Sequence, residues 1–442
     1  MSVSAIHVGV IGLGNVGRGT LRILADNAAQ IEAKLGFPLH VKAVCSRSVI
    51  ENPPDEVSLF PDAKRTSRWQ EVVDDPDVQV VAELVGGTST AGEIIRKSIE
   101  QGRSIVTANK ELMAEQGAEI WDQAIDKRIC LAMEASVAGG IPIHSVLREG
   151  ISGDRIESMV GILNGTCNYI LTEMERRGDD LETVLSEAQQ LGYAEADPTA
   201  DVDGYDARSK LALLSALAFG VRVSPEDIYL EGIRRIRPID FAYAQRLGHT
   251  VRLIASAHQA EEGLLLSVRP ALVPKDTILA HVDGSYNAIW VRGVHGADTF
   301  YYGRGAGPTP TGVAVVSDLM RVAREIVNGS PERVSPFAHS YLKQHAPIAI
   351  DNQVRPHYLR FRVRDRPGII GSLGAILAEA GISLDAVLQE PSHNKDELPF
   401  VITLEPTIER AVTAAVNQMK GLDFLVDHPL AMPLEPGLGG PR

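Results

Sequence analysis

A chain of 442 residues is too long for one ordinary hydrophobic core, so two or three domains are expected. With 44% hydrophobic residues and a mean hydropathy of −0.01 it reads as globular, and a formal net charge of −14 excludes a nucleic-acid or anionic-membrane surface as its main business. That charge still leaves room for a local basic pocket.

Cys45, Cys130 and Cys167 lie far apart and lack metal-ligand spacing, which points to a reducing compartment. No apolar run is long enough to cross a bilayer, and the first apolar stretch is broken by glycines with no basic region before it. A cytoplasmic location is the expectation.

Residues 5–11 form a compact apolar run, followed by Gly12-Leu13-Gly14-Asn15-Val16-Gly17 and then a helical pattern carrying Leu21, Ile23 and Leu24. Strand, glycine turn and helix in that order are the setting of a dinucleotide site, where glycines let the backbone approach a pyrophosphate at a helix N-terminus. The next strand, 40–45, ends in Ser46-Arg47-Ser48. An NAD enzyme places an acid there for the ribose 2′-hydroxyl; an arginine among hydroxyls suits a 2′-phosphate, so NADP is favoured, with NAD possible. Arg47 as a solvated loop residue is the alternative.

Apolar runs at 78–85, 104–107 and 129–133 alternate with helical patterns at 92–101 and 112–125. This alternation predicts a parallel, doubly wound sheet whose ligands bind beyond the strand C-termini. Thr107-Ala108-Asn109-Lys110 ends one of those strands, which puts Lys110 on the cofactor side, either functional or simply a helix-start lysine. Glu134 opens a loop of small residues through Pro142 that could hold a hard cation on carbonyls together with one carboxylate, or serve as a hinge. Asn164-Gly165-Thr166 matches a glycosylation acceptor, which a cytoplasmic protein does not use.

The densest signal is 191–219. Glu195, Asp197, Asp201, Asp203 and Asp206 crowd a loop, and Leu213, Leu214 and Leu217 then recur at helical spacing. Asp203 is the expected N-cap, and Asp206 and Lys210 share one helix face. A lysine aimed along an apolar stripe toward acids can be tuned for proton transfer; the bland reading is an exposed ion pair. Alignment with a calcium loop fails, because Lys210 would fall at the bidentate acid.

The motifs GLGNVG, ELVGG, TANK, EASVAGGIPI, GILNGTCNYIL and GYAEADPTADVDGYDARSK together resemble the homoserine dehydrogenase family, in its order and spacing, to about Val327. The resemblance implies reversible NAD(P)-dependent interconversion of L-homoserine and L-aspartate 4-semialdehyde, within threonine, methionine and isoleucine biosynthesis. It implies Lys210 as proton donor, Lys110 as its partner lysine and Asp206 as an acid that orients the lysine and the substrate. Glu195 and Asp201 would surround the substrate ammonium, with Thr166 and Tyr193 lining the pocket. Gly192, and Gly307 in a returning glycine loop at 303–309, would join the first glycine turn at the cofactor. Glu134 with the main chain of Val137, Gly139 and Ile141 would hold a sodium ion.

The implied architecture is α/β: a Rossmann-type doubly wound domain (1–138 plus 305–330), an α+β substrate and dimerisation domain (139–304) with strands at 264–268 and 288–294, and a linker (331–356). A βαββαβ pattern at 357–427, with its last strand at 424–426, is ferredoxin-like, and its Asp365-Arg366-Pro367-Gly368 turn resembles an ACT domain. In this family such a module usually senses L-threonine. Residues 428–442 are expected to be a disordered tail, and the assembly a homodimer or homotetramer. Two other readings stay open: a semialdehyde dehydrogenase using Cys167 as nucleophile, and a non-catalytic nucleotide- and amino-acid-binding regulator.

Overall fold

The computed structural model describes residues 5–330, 346–390 and 394–435. The first sheet is built from β1 (Ile6–Ile11), β2 (Leu39–Cys45), β3 (Lys64–Thr66), β4 (Val80–Glu83), β5 (Ser104–Thr107) and β6 (Leu131–Ala132). All are parallel, in the order β3-β2-β1-β4-β5-β6. This is the Rossmann order, with its ligand crevice where the order reverses between β1 and β4. The strands read as unbroken apolar runs because helices cover both faces. One covering helix, Pro308–Asn328, returns from far down the chain and packs on Asn15–Asp26 so closely that a Cβ on Gly19 would lie 2.1 Å from the Pro308 carbonyl oxygen.

The second sheet contains β7 (Ile156–Ile162), β8 (Tyr229–Leu230), β9 (His249–Gln259), β10 (Leu264–Pro274), β11 (Tyr286–Gly293), β12 (Ala297–Arg304) and β13 (Pro347–Ile348). Its order is β12-β11-β7-β9-β10-β13, with β8 also on β10. Helices Gly165–Arg177 and Tyr205–Phe219 pack against its β7–β9–β10 region. β9 and β10 are each eleven residues long, well beyond the short strands expected there.

The third sheet holds β14 (Val354–Val363), β15 (Leu384–Gln389), β16 (Leu398–Ile408) and β17 (Leu430–Pro433) in the antiparallel order β15-β16-β14-β17. With helices Ile369–Glu379 and Glu409–Met419 this is the ferredoxin-like arrangement. Two boundaries differ from expectation. Residues 424–426 supply only an isolated bridge (Val363 to Leu425), and the fourth strand comes from the supposed tail, because β14 needs an edge partner that Leu430–Pro433 provides. The end of the supposed linker belongs to this module too, since β14 begins at Val354 and Gln353 accepts the Glu409 N–H. The remaining linker and tail residues, 331–345 and 436–442, lie outside the described residues.

Candidate active site

The glycine turn after β1 divides its work among its three glycines. Gly12 has φ +105°, and a Cβ there would lie 2.4 Å from the Leu84 carbonyl oxygen, so it permits the tight turn beside β4. A Cβ on Gly17 would strike the Gly12 carbonyl oxygen at 2.0 Å, so it lets the helix close on the strand. A Cβ on Gly14 would meet nothing within 4 Å. That open position caps the Asn15–Asp26 helix, whose first turn has neither a side-chain cap nor an acid. Unsatisfied N–H groups and the positive helix end therefore face the space where a pyrophosphate would run. Leu13 is buried, Asn15 is exposed and Val16 half-buried, and Arg47 is exposed just past β2. These residues fit a dinucleotide.

Lys110 starts the Lys110–Asp126 helix at the end of β5, and its placement is braced from beneath. Asn109 caps that helix by accepting the Leu112 N–H (3.1 Å) and donates to the Gly87 carbonyl (2.7 Å). Thr107 donates to the buried Glu83 carboxylate at 2.6 Å. Burial raises the Glu83 pKa against these donors.

Asp203 does not cap the Tyr205–Phe219 helix. Gly204, in the left-handed region at φ +84°, takes that place, and Asp203 turns instead to Arg234 at 2.6 Å. The helix then points Asp206 and Lys210 inward. Lys210 Nζ donates to Asp206 Oδ2 at 2.7 Å and to the Leu163 carbonyl at 2.8 Å. Lys110 Nζ approaches the other oxygen, Asp206 Oδ1, at 3.3 Å. One carboxylate thus bridges a lysine of the nucleotide domain and a lysine of the substrate domain.

Burial works against the Asp206 charge, but Lys210 and Lys110 together outweigh it and hold the pKa at about 2. Burial likewise opposes the Lys110 charge, and Asp206 overcomes it to raise that pKa. Asp201 stands beside this group, its pKa raised by burial first and by Asp206 as well, against hydrogen bonds from Asn164 and Thr166. The Thr166 hydroxyl donates to the Tyr193 carbonyl at 2.8 Å. Gly192, Tyr193 and Glu195 occupy an exposed loop at the rim; Gly192 has φ +77°, and the Glu195 carboxylate is exposed rather than drawn into the lysine cluster.

Asn164 and Asn287 are the side chains that the sequence reading did not count in the site. Asn287 shares the Leu163 carbonyl with Lys210, donating at 2.8 Å. Asn164 was legible as a glycosylation signal and as one letter of the GILNGTCNYIL motif, with no role of its own. Cys167 is not a nucleophile: it is fully buried, its thiol donates to the Asp201 carbonyl at 3.1 Å, and burial pushes its pKa well above the ordinary value.

The glycine loop 303–309 returns against the 138–141 loop, where Gly140 N–H donates to the Arg304 carbonyl at 2.9 Å. Gly307 has φ +126° and leads into the Pro308 helix. The 134–141 stretch turns through Ala138 and Gly139, both at positive φ. The Glu134 carboxylate accepts the N–H groups of His144 and Ser145, both at 2.8 Å, and the Ser145 hydroxyl. A cation there would therefore rest on main-chain oxygens. Among the described residues no group of three His, Cys, Asp or Glu side chains could hold a metal ion.

A Rossmann cleft, a lysine–carboxylate–lysine bridge at its edge and an attached ferredoxin-like module define a nicotinamide-nucleotide-dependent dehydrogenase fused to an ACT domain. Family profiles agree: "Homoserine dehydrogenase, NAD binding domain" matches residues 12–132, "Homoserine dehydrogenase" 142–320 and "ACT domain" 357–423. Homoserine dehydrogenase of Neisseria gonorrhoeae is 39% identical over 429 residues, covering 97% of this chain and 98% of that protein. The crystal structure of a homoserine dehydrogenase from Thiobacillus denitrificans superposes with a TM-score of 0.89 at 40% identity, over 98% of each chain. A hyperthermophilic archaeal homoserine dehydrogenase mutant in complex with NADPH matches 72% of this chain and 98% of its own, with a TM-score of 0.62 at 26% identity. The chain belongs to the homoserine dehydrogenase family, oxidoreductases acting on a CH–OH group.

Proposed function

We propose that the chain interconverts L-homoserine and L-aspartate 4-semialdehyde with NADP(H), under feedback by L-threonine bound to its ACT domain. The observation that carries this is the Asp206 carboxylate joining Lys110 and Lys210 across the two domains, at 3.3 and 2.7 Å. An ammonium has three donors. Among the described residues, Lys210 spends two of them on Asp206 and Leu163, which leaves one for a substrate oxygen.

When bound, the nicotinamide supplies or accepts the hydride. As the aldehyde is reduced, its oxygen takes a proton from the Lys210 ammonium: the N–H bond breaks, an O–H bond forms, and the amine is reprotonated from solvent. Oxidation runs the same transfer backwards. Lys110, kept charged by Asp206, stabilises negative charge on that oxygen. Asp201 and, from the rim, Glu195 receive the substrate ammonium, and Thr166 and Tyr193 shape the wall beside them.

Arg47 supports NADP, since 46–50 contain no acid for a ribose hydroxyl. Gly192 and Gly307 bound the cofactor cleft on the substrate side. A sodium ion on the main-chain oxygens of Glu134, Val137, Gly139 and Ile141 would stiffen the loop between domains. The exposed edge of β12, where Tyr302 stacks on Tyr286 with ring centroids 5.0 Å apart, supports pairing of two chains there, as a homodimer or within a homotetramer. Three buried free cysteines support a cytoplasmic setting, and among the described residues no helix is long and apolar enough to cross a membrane.

The test is NADPH absorbance with aspartate semialdehyde and no phosphate, then with NADH, then with threonine added to the intact chain. NADPH oxidation that exceeds NADH oxidation and falls with threonine is the expected result. No oxidation would end the catalytic reading; oxidation insensitive to threonine would end the feedback reading alone.

A further inference from the structure

We infer that Asn164 is a positioning residue for this reaction, its side-chain amide holding Asp201 and Asp206 side by side as a charged pair. The inference rests on the reading of Asp206 and Lys210 as the reacting end of the site.

Asn164 stands where β7 turns into the Gly165–Arg177 helix, and only 4% of it is exposed. Its Oδ1 accepts the Cys167 N–H at 2.8 Å and caps the helix. Its Nδ2 donates to Asp201 Oδ1 at 2.6 Å and to Asp206 Oδ2 at 2.8 Å. A flipped amide would set its oxygen against two carboxylates and its NH2 against a helix N–H, so the network fixes the orientation.

Residue type carries the argument. Asp, Ser and Thr also cap helices. Among the usual capping side chains, only asparagine also offers an NH2 group that can satisfy two acids at once. A position that needed a cap alone would have no use for that group.

Two neighbouring carboxylates repel, and one of the pair is then favoured in its protonated form. The charged groups facing them are Lys210 from the Tyr205–Phe219 helix that also carries Asp206, and Lys110 from the Lys110–Asp126 helix, with the neutral Thr166 hydroxyl beside Asp201. Both ammoniums favour Asp206 most directly, each taking one of its oxygens. Asn164 is the group that donates to both acids, so it keeps Asp201 ionised to meet a substrate ammonium while Asp206 stays aimed at Lys210.

Two variants separate this role from capping. Asn164→Ser keeps a cap but reaches neither acid, and Asn164→Asp keeps cap and size while adding a third carboxylate. We expect kcat/KM for homoserine to fall about tenfold or more in the Ser variant and further in the Asp variant, chiefly through KM. The acid limb of the kcat/KM–pH profile should move up by about one pH unit in both. Thermal midpoints should stay close to the parent's. An Asp variant with parental kinetics, or an acid limb unmoved in both variants, would overturn the inference. Lys210→Ala run alongside keeps the two failures apart: if it retains turnover, the site reading falls whatever the Asn164 variants do.

Discussion

Two clusters of buried charge hold this molecule together at its two joints, and they are built differently. At the joint of the nucleotide and substrate domains, Asp206 serves two lysines, and Lys110 remains a third exposed (34%). At the joint of the catalytic sheet and the ACT domain, the charges are arginines in closed pairs. Arg269 grips both oxygens of Glu409 at 2.8 and 2.9 Å, and His357 Nε2 lies 3.1 Å from the same carboxylate. Arg355 binds Glu435 and approaches His258, while Arg360 and Tyr358 converge on the fully buried Asp240. A guanidinium fork saturates a carboxylate and stays charged; an ammonium is a point charge that can lend a proton. The open cluster is fit for chemistry and the closed one for docking.

The largest effect should follow from emptying the open cluster. Lys210→Ala is expected to lower kcat about a thousandfold or more, with NADPH affinity nearly unchanged in a fluorescence titration, if the lysine acts on the reacting oxygen as proposed. Weakened cofactor binding with intact turnover would reverse the assignment. In the closed cluster the matching change should act on stability instead. Glu409→Ala leaves Arg269 buried and unpaired, and is expected to cost about 3–5 kcal/mol in unfolding experiments while basal turnover stays near the parent's. For the same reason, deleting the ACT domain would expose a bare Arg269, so point variants are the cleaner probe. A Glu409→Ala protein with parental stability would show that the pair is ornamental.

How legible these clusters were follows from how far apart their members lie. Asp206 and Lys210 sit one helical turn apart in a run of acids, so the pairing could be read directly. The βα pattern put Lys110 only on the cofactor side, at a strand end where ligands bind; its partnership with Lys210 came from the family resemblance. Arg269 and Glu409 are separated by 140 positions, and nothing local in either stretch marks the contact. Asn164 was hidden because its three-residue motif has a louder meaning elsewhere. β17 was read as tail because Ala431-Met432-Pro433 lacks strand propensity and carries a proline; only the edge position beside β14 makes it a strand. The cap of the Tyr205–Phe219 helix went to Gly204 because the chain turns through φ +84° there, which an aspartate one position earlier cannot announce.

Acid should separate the joints. Burial first, and then Arg355, depresses the His258 pKa to about 4, whereas an unfolded histidine titrates near ~6.5. The unfolded chain therefore binds more protons between those values, and stability is lost as pH falls from about 6.5 toward 4. Glu409 and Asp206 are both depressed to about 2, so their contributions persist until pH falls below the ordinary carboxylate range and vanish only toward about 2. The docking joint should loosen first. Thermal midpoints are expected to drop between pH 6.5 and 5 as His258 removes up to about 1.4 kcal/mol of unfolding free energy per pH unit, and His258→Gln should flatten part of that slope. At the nucleotide–substrate joint, His144, also depressed to about 4 by burial, adds to the loss, while Asp318, raised to about 7 by burial, gains stability over the same fall in pH and offsets it. An unchanged slope in His258→Gln would place the acid sensitivity elsewhere.

The smallest effect concerns the strap between the clusters. Arg235 donates to the His428 and Pro429 carbonyls of the ACT side at 2.8 and 2.7 Å. Just before it, Arg234 holds Asp203, Ile233 N–H donates to the Val202 carbonyl at 2.8 Å, and a Cβ on Gly232 would come within 2.4 Å of that carbonyl oxygen. Val202 and Asp203 directly follow Asp201, so a shift of the ACT edge has a short main-chain route to the acids proposed to bind substrate. Coupling of this kind is worth a few-fold to a hundredfold in affinity and requires an element that both sites bias. Arg235→Ala cuts the ACT end of the strap without touching the site. Its threonine dose–response is expected to weaken about fivefold with basal kcat near the parent's. An unchanged dose–response would mean that the feedback proposed above travels through the Arg269–Glu409 side of the joint, and the closed cluster would then be more than a fastening.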